Sequence, residues 1–210
     1  MIKLIIADDH PIVREGLKQI IAGSPYFVVS DEAGNGAELL DKVRKDDFDV
    51  ILLDLKMPGM DGLDVLKQLR IEKPKIPVII LTVHPEAQYA LRILRAGASG
   101  YLTKESVSSE LIAAIRKVHR GGKYINPSLA EKIAFALDTD SEKMLHETLS
   151  DREYQVLHMI ASGKTVTEIA EELSLSVKTI STYRARIMEK MNMKTNAELT
   201  RYAFQNRLID

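Results

Sequence analysis

Short apolar runs and longer segments with a helical apolar repeat take turns along the first 120 residues. Apolar runs at 3–7, 28–33, 50–53, 78–81 and 100–102 have the length of buried strands. Between and after them, residues 12–22, 37–45, 63–72, 85–95 and 108–120 repeat their apolar positions every three to four residues, as amphipathic helices do. In the first of these helices Ile12, Val13, Leu17, Ile20 and Ile21 are expected on one side, with Gly23 as the stop. Five strands alternating with five helices imply crossover connections and a doubly wound, five-stranded parallel sheet covered on both faces. In such α/β sheets ligands gather at the carboxyl ends of the strands.

The pattern changes after Gly121-Gly122, which reads as a helix stop. One further helix is expected over 127–137, followed by DTDSEKMLHET, whose polarity predicts a linker. From Leu149 onward the strand signals vanish, and four helices are predicted over 151–162, 166–173, 177–191 and 196–206. The expected organisation is therefore an α/β domain at 1–120, a helix and linker at 121–148, and a small all-α four-helix domain at 149–210. A short helix, the turn Ser174-Leu175-Ser176 and a longer helix have the punctuation of a helix-turn-helix, with Ser176 as N-cap of the second helix. On a helical wheel Ile180, Ile187 and Met191 form the core stripe. Lys178, Thr182, Ala185 and Glu189 lie opposite, flanked by Ser181 and Arg186. A face with a cation, short hydroxyls and a small residue can approach base edges, while Arg186 and Lys190 can reach phosphates. Arg184, closer to the core stripe, suits a salt bridge or a packed stem as well as DNA, and Tyr183 suits packing.

Composition narrows the class. Of 210 residues, 45% are hydrophobic and 28% charged, the balance of a globular chain rather than a disordered one. No apolar run approaches the roughly 18 residues of a membrane span. The start, MIKLIIADDH, runs straight into two aspartates without a small-residue cleavage site, unlike a signal peptide. The absence of cysteine excludes disulfides, thiolate metal sites and thiol nucleophiles. The expected compartment is the cytoplasm. A net charge of −1 gives no hint of nucleic acid, but the average hides a distribution. Residues 1–120 carry 17 basic and 17 acidic side chains, 121–149 carry 3 and 5, and 150–210 carry 9 and 8. Within 177–194, Lys178, Arg184, Arg186, Lys190 and Lys194 face Glu189 alone.

The candidate chemistry lies at the strand ends. Asp8 and Asp9 follow the first strand, Asp54 the third, Thr82 the fourth and Lys104 the fifth; the loop after Asp54, LKMPGMDG, is rich in turn formers. Three converging carboxylates call for a cation, and an oxygen donor set suits Mg²⁺. A carboxylate nucleophile beside a metal, a hydroxyl and an ammonium is what formation of an acyl phosphate requires. Other chemistries of the fold lack their motifs. No G-x-G-x-x-G or P-loop follows the first strand, where Asp8-Asp9-His10-Pro11 stands, and the second acid that an aspartyl phosphatase uses two residues after its nucleophile is replaced by Lys56. His10 and His84 are expected at solvated loop positions.

These residues carry a resemblance. Residues 1–120 resemble the receiver domain of two-component response regulators, in the flavodoxin-like fold, through Asp8-Asp9, Asp54 within LLDLKMPGMDG, Thr82, Tyr101 and Lys104. The resemblance implies Asp54 as phosphoacceptor, Thr82 and Tyr101 as switch residues, and Mg²⁺ held by Asp9, Asp54 and the backbone carbonyl of Lys56, with Asp8 assisting through water. Glu105 stands where many receivers have proline after the lysine. Residues 149–207 resemble the LuxR-type DNA-binding domain through LSDREYQVL and EIAEELSLSVKTISTYRARIMEKM. The two together resemble the NarL/FixJ class, with KTISTYRARI similar to the GacA/UvrY branch, a class in which the last helix commonly mediates dimerisation.

The expected function is a transcription factor controlled by phosphorylation of Asp54. Its expected partners are a sensor histidine kinase or small acyl phosphates as donors, double-stranded DNA, and a second copy of the chain on that DNA. The competing readings are a receiver whose helical domain binds protein, and a multiple-turnover aspartyl-phosphate hydrolase. The expectation is that the chain is no enzyme beyond assisting its own phosphorylation and dephosphorylation.

Overall fold

The computed structural model describes residues 1–82, 87–127, 129–131, 145–206 and 208–209. The chain divides into two compact units, Met1–Ile133 and Ala134–Asp210.

In the first unit β1 (Ile2–Ala7), α1 (Pro11–Ala22), β2 (Phe27–Ala33), α2 (Gly36–Lys45), β3 (Val50–Asp54), α3 (Gly62–Glu72), β4 (Val78–Thr82), α4 (Ala87–Arg95), β5 (Gly100–Thr103) and α5 (Val107–His119) follow in order. The strands form a single parallel sheet in the order β2-β1-β3-β4-β5. That order reverses between β1 and β3, and the register Ala7↔Leu53 puts the ends of those two strands side by side. Strands β3 and β4 are buried on both faces, which is why they read as unbroken apolar runs. Leu4, Ile6, Leu52, Ile79 and Leu81 pack with Leu17 and Ile21 of α1 and with Leu111, Ala114, Ile115 and Val118 of α5 in one cluster.

Two expectations change here. Ile12, placed on the core side of α1 from sequence, is 82% exposed. The buried stripe is Leu17 and Ile21, with Val13 and Ile20 partly covered, and Ile12 lies a full residue step off it. The chain after α5 also does more than stop. Gly121 adopts φ +85°, its N–H donates to Val118 and that of Gly122 to Lys117, so the chain turns back. Tyr124 then pairs with the free edge of β5: its N–H donates to Ser99 O (2.9 Å) and its carbonyl accepts from Tyr101 N (3.1 Å). The helix expected over 127–137 falls mostly outside the described residues.

In the second unit a 3₁₀ turn, Leu145–Thr148, precedes α6 (Asp151–Ala161), α7 (Val166–Glu172), α8 (Val177–Met191) and α9 (Asn196–Gln205). Helices α6 and α7 each start in a capping box, Ser150 with Glu153 and Thr165 with Glu168. The core joins Tyr154, Leu157 and Ile160 to Ile169, Ile180, Ile187, Met191, Leu199 and Ala203. The 3₁₀ turn sits where a linker was expected. Its His146 is 1% exposed, with Nδ1 at 3.0 Å from the hydroxyl of Tyr202 and its ring against Tyr154 and Tyr202. The buried imidazole fastens the 3₁₀ turn to α6 and α9.

Candidate functional site: an acidic pocket and a helix-turn-helix

Asp8 and Asp54 are both buried, an arrangement that costs free energy unless cations or donors answer them. Strand β1 delivers Asp8 one residue past its last ladder pair, and β3 ends on Asp54, opposite Leu81 of β4. Lys104, one residue beyond β5, reaches across with Nζ 2.7 Å from Asp8 Oδ2 and 3.1 Å from Asp54 Oδ2. Burial of the ammonium works against its charge, but the hydrogen bond to Asp8 and the charges of Asp54 and Asp8 hold its pKa above the ordinary lysine value. Asp54 moves the other way: burial first, then the charge of Asp8, push its carboxyl up to about 6 in spite of Lys104 and the Lys56 N–H. The backbone of Lys56 therefore lies at the Asp54 carboxylate.

The loop after Asp54 is held by two close contacts. Gly59 adopts φ +80°, and a Cβ on Gly62 would come within 2.3 Å of the Asp54 carbonyl oxygen and 2.7 Å of Leu55 Cα. Gly62 also donates its N–H to Leu55 O at 2.9 Å, and Asp61 caps α3 by accepting from Leu63 N. The start of α3 thus presses directly on the strand end that carries Asp54, a role for Gly62 that the sequence showed only as turn composition.

Ligand atoms of Asp8, Asp9, His10 and Asp54 lie within 4.8 Å of one another. Asp9 Oδ1 and Asp54 Oδ2 are buried and accept no well-aligned hydrogen bond, although His10 Nδ1 stands 2.8 Å from the first. Buried carboxylate oxygens left in this condition, in an oxygen-rich set, fit a hard divalent cation. His10, expected at a solvated loop position, is exposed yet meets both acids, lying 3.2 Å from Asp8 Oδ1 as well. Thr82 is buried at the end of β4, and Tyr101 is buried within β5 with its ring turned inward. His84 lies outside the described residues. Arg14, which sequence reasoning passed over, donates from Nη1 to the carbonyl oxygen of Asp8 at 2.6 Å.

In the second unit the turn between α7 and α8 is closed by Ser174, at φ +52°, and by the Leu175 N–H donating to Ala170 O. Ser176 caps α8, accepting from Thr179 N at 3.0 Å. Ile180, Ile187 and Met191 are buried as the wheel required, and Lys178, Ser181, Thr182, Ala185 and Arg186 are all exposed on the other side. Lys190, also exposed, is engaged within the unit. Its Nζ lies 2.6 Å from Oε2 of the buried Glu153, the acid of the α6 capping box, so its charge is already used inside the unit. Arg184 donates to Asn196 Oδ1 at 2.7 Å, bracing α8 against the start of α9.

A doubly wound sheet with an acid and lysine pocket at its carboxyl edge, followed by a helix-turn-helix unit, defines a signalling receiver joined to a regulatory output. Comparison with known proteins gives the same division: residues 4–116 match the response regulator receiver domain and residues 147–203 the bacterial regulatory proteins of the luxR family. The chain belongs to the LuxR-type response regulators. It is 38% identical over 210 residues to the response regulator GacA of Pseudomonas protegens, covering 100% of this chain and 99% of that one. To UvrY of Escherichia coli strain K12 it is 35% identical over 211 residues, covering 100% and 97%. Among solved structures, RcsB of Salmonella enterica serovar Typhimurium, bound to a promoter in the presence of the phosphomimetic BeF3−, superposes with TM-score 0.62 at 29% identity, over 96% of this chain and 97% of that one. A structure of two RcsB dimers on two parallel DNAs gives 0.61 at 29%, over 96% of each chain.

Proposed function

We propose that this protein takes a phosphoryl group on Asp54 and, in that state, binds double-stranded DNA as a dimer to control transcription. The observation that carries the reading is the pocket itself: a buried Asp54 at the switch point of the sheet, with Asp8 and Asp9 beside it and the Lys104 ammonium at 3.1 Å.

In the proposed transfer an oxygen of Asp54 attacks phosphorus, and the bond from phosphorus to the donor breaks. The donor is the phosphohistidine nitrogen of a sensor kinase or the acyl oxygen of a small acyl phosphate. The leaving group departs with that electron pair, as imidazole that takes up a proton or as carboxylate. Asp9, Asp54 and the backbone carbonyl of Lys56 would hold Mg²⁺, with Asp8 behind them, and the bound ion would supply positive charge for the phosphoryl oxygens. Lys104 adds its ammonium from the other side. The Thr82 hydroxyl donates to a phosphoryl oxygen, and the inward Tyr101 ring fills the space behind it, so charge at Asp54 selects one loop arrangement. This is a single-turnover acceptor rather than an enzyme acting on other substrates.

For the output, Lys178, Ser181, Thr182 and Ala185 face the major groove and Arg186 a phosphate. Lys190 is left out of that set because Glu153 holds it. Two chains pair through α9, where Phe204 is 66% exposed. The RcsB structure bound to a promoter in the presence of a phosphomimetic supports this reading by similarity. DNA and a kinase's cytoplasmic domain as partners make the cytoplasm the site of action; no helix among the described residues is long and apolar enough to cross a membrane.

The test is incubation with Mg²⁺ and acetyl phosphate, followed by intact-mass spectrometry. The wild type is expected to gain one phosphoryl group and Asp54→Asn none. Equal uptake by the variant would remove Asp54 from the reading.

A further inference from the structure

We infer that Arg14 is a positioning residue for the acidic pocket, setting the Asp8–Asp9 peptide so that the Asp9 carboxylate stands where a cation is bound. This deepens the reading under Proposed function and rests on it.

Asp8 donates its N–H to Ala33 O at 3.1 Å, the last rung between β1 and β2, and beyond that rung no backbone donor among the described residues meets its carbonyl. Arg14 supplies a side-chain donor. It sits in the first turns of α1, its N–H accepted by His10 O, and its side chain folds back so that Nη1 lies 2.6 Å from Asp8 O. The guanidinium is fixed at a second point, since Nε donates to Glu32 Oε2 at 2.9 Å, and Glu32 is itself held by Lys18 Nζ at 2.6 Å from Oε1. Only 18% of the Arg14 side chain is exposed. A planar fork gripped at both ends has little freedom, so the carbonyl it holds has little as well.

That carbonyl belongs to the peptide that carries Asp9. Asp8 is tied by Lys104 and by the His10 N–H on Oδ1, at 2.8 Å. Among the described residues Asp9, whose side chain is 31% exposed, meets the imidazole of His10, and its buried Oδ1 accepts no well-aligned hydrogen bond. Its direction must therefore come from its backbone, and Arg14 is what fixes the plane of that backbone. The consequence falls on cation affinity. Losing an outer support of a metal ligand typically costs ~10-fold or more in affinity.

The experiment uses the full chain as wild type, Arg14→Gln, Arg14→Lys and Glu32→Gln, with Mn²⁺ as probe, its free fraction read by electron paramagnetic resonance. Thermal melts in EDTA report folding. Arg14→Gln is expected to weaken Mn²⁺ about tenfold. Arg14→Lys, which keeps the charge but cannot hold Asp8 O and Glu32 together, should recover part of that loss, and Glu32→Gln should lose less than Arg14→Gln. With acetyl phosphate, the metal concentration for half-maximal phosphorylation should rise by the same factor, while the rate at saturating metal falls less. A residue that served folding alone would lower the melting temperature and leave Mn²⁺ affinity unchanged in the folded fraction. Unchanged affinity in Arg14→Gln overturns the inference, and if that variant does not fold, unchanged affinity in Glu32→Gln does so. A wild type that bound no Mn²⁺ and took no phosphoryl group would instead sink the functional reading itself.

Discussion

Asp54 holds its place in the pocket at a cost to the fold. Its carboxyl is lifted to about 6 by burial and by Asp8, against 3.8 for the free side chain. A carboxyl whose folded pKa is raised binds its proton more tightly in the folded state, so stability is greatest below the unfolded value and is lost as pH climbs toward 6. At pH 8 the loss is complete, and at about 1.4 kcal/mol per pKa unit it is on the order of 2 to 3 kcal/mol. Asp54→Asn should therefore be more stable than wild type in urea at pH 8 with metal chelated, and the gain should shrink toward zero near pH 4. A gain that did not change with pH would mean that the charge of Asp54 is not its source. Gly62 is the neighbouring test. A Cβ added there would meet backbone first, so Gly62→Ala should cost about 1 to 3 kcal/mol and slow phosphorylation by displacing the Asp54 strand end. The acids and the lysine were legible from sequence because each falls at a strand end, where α/β folds keep their chemistry. Gly62, Arg14 and the engagement of His10 were not. Their roles depend on which backbone atom lies opposite, and no periodicity carries that information.

At the scale of elements, α8 shows how charge on a helix divides between recognition and architecture. The wheel separates core from surface correctly, with Ile180, Ile187 and Met191 inside, but it treats Arg186 and Lys190 alike. The structure does not, because Glu153 at the start of α6 is buried and requires a cation. Burial alone would raise the Glu153 carboxyl; Lys190 and the Ser150 donors outweigh it and hold it below its ordinary value. Arg186→Ala should lower DNA affinity and reduce the slope of log affinity against log salt by about 1, with no change in melting temperature. Lys190→Ala should leave the salt slope near wild type and lower the stability of the helical unit by up to about 3 kcal/mol, the cost of a stranded buried acid. The opposite pair of results would return Lys190 to the DNA face. The edge of β5 makes a related point. Glycines 121 and 122 read from sequence as a helix stop, yet the pairing they allow, Tyr124 against Ser99 and Tyr101, covers a sheet edge that would otherwise be open. A single paired residue is too short for strand periodicity to reveal. The same holds for His146, whose burial depends on Tyr202, 56 residues away.

The whole chain is almost neutral, and that limits how it can hold DNA. With a net charge of −1, and 9 basic against 8 acidic residues in 150–210, long-range attraction to a polyanion is small. Binding must come from the few cations that α8 presents, and Lys190 is not free to join them. One chain that neutralises about 2 or 3 phosphates gives a salt slope of only −2 to −3. Such a contact is weak at physiological salt. On the proposed reading, two chains on one duplex would double the slope and add their binding free energies, so pairing would carry more of the affinity than any one side chain. Phe204 is the place to test this: it lies on α9, is 66% exposed, and is adjacent in sequence to the buried Ala203. Phe204→Glu should fold normally, accept a phosphoryl group on Asp54 as wild type does, and lose the increase in DNA affinity that phosphorylation brings. Its salt slope should fall to about half that of phosphorylated wild type, the value for a single chain. Titration of a duplex at several salt concentrations, with sedimentation to count chains per duplex, reads both quantities. A variant that binds as a dimer with the full slope would place the pairing surface elsewhere. One that loses pairing but keeps its affinity would show that a single α8 suffices, against the charge arithmetic.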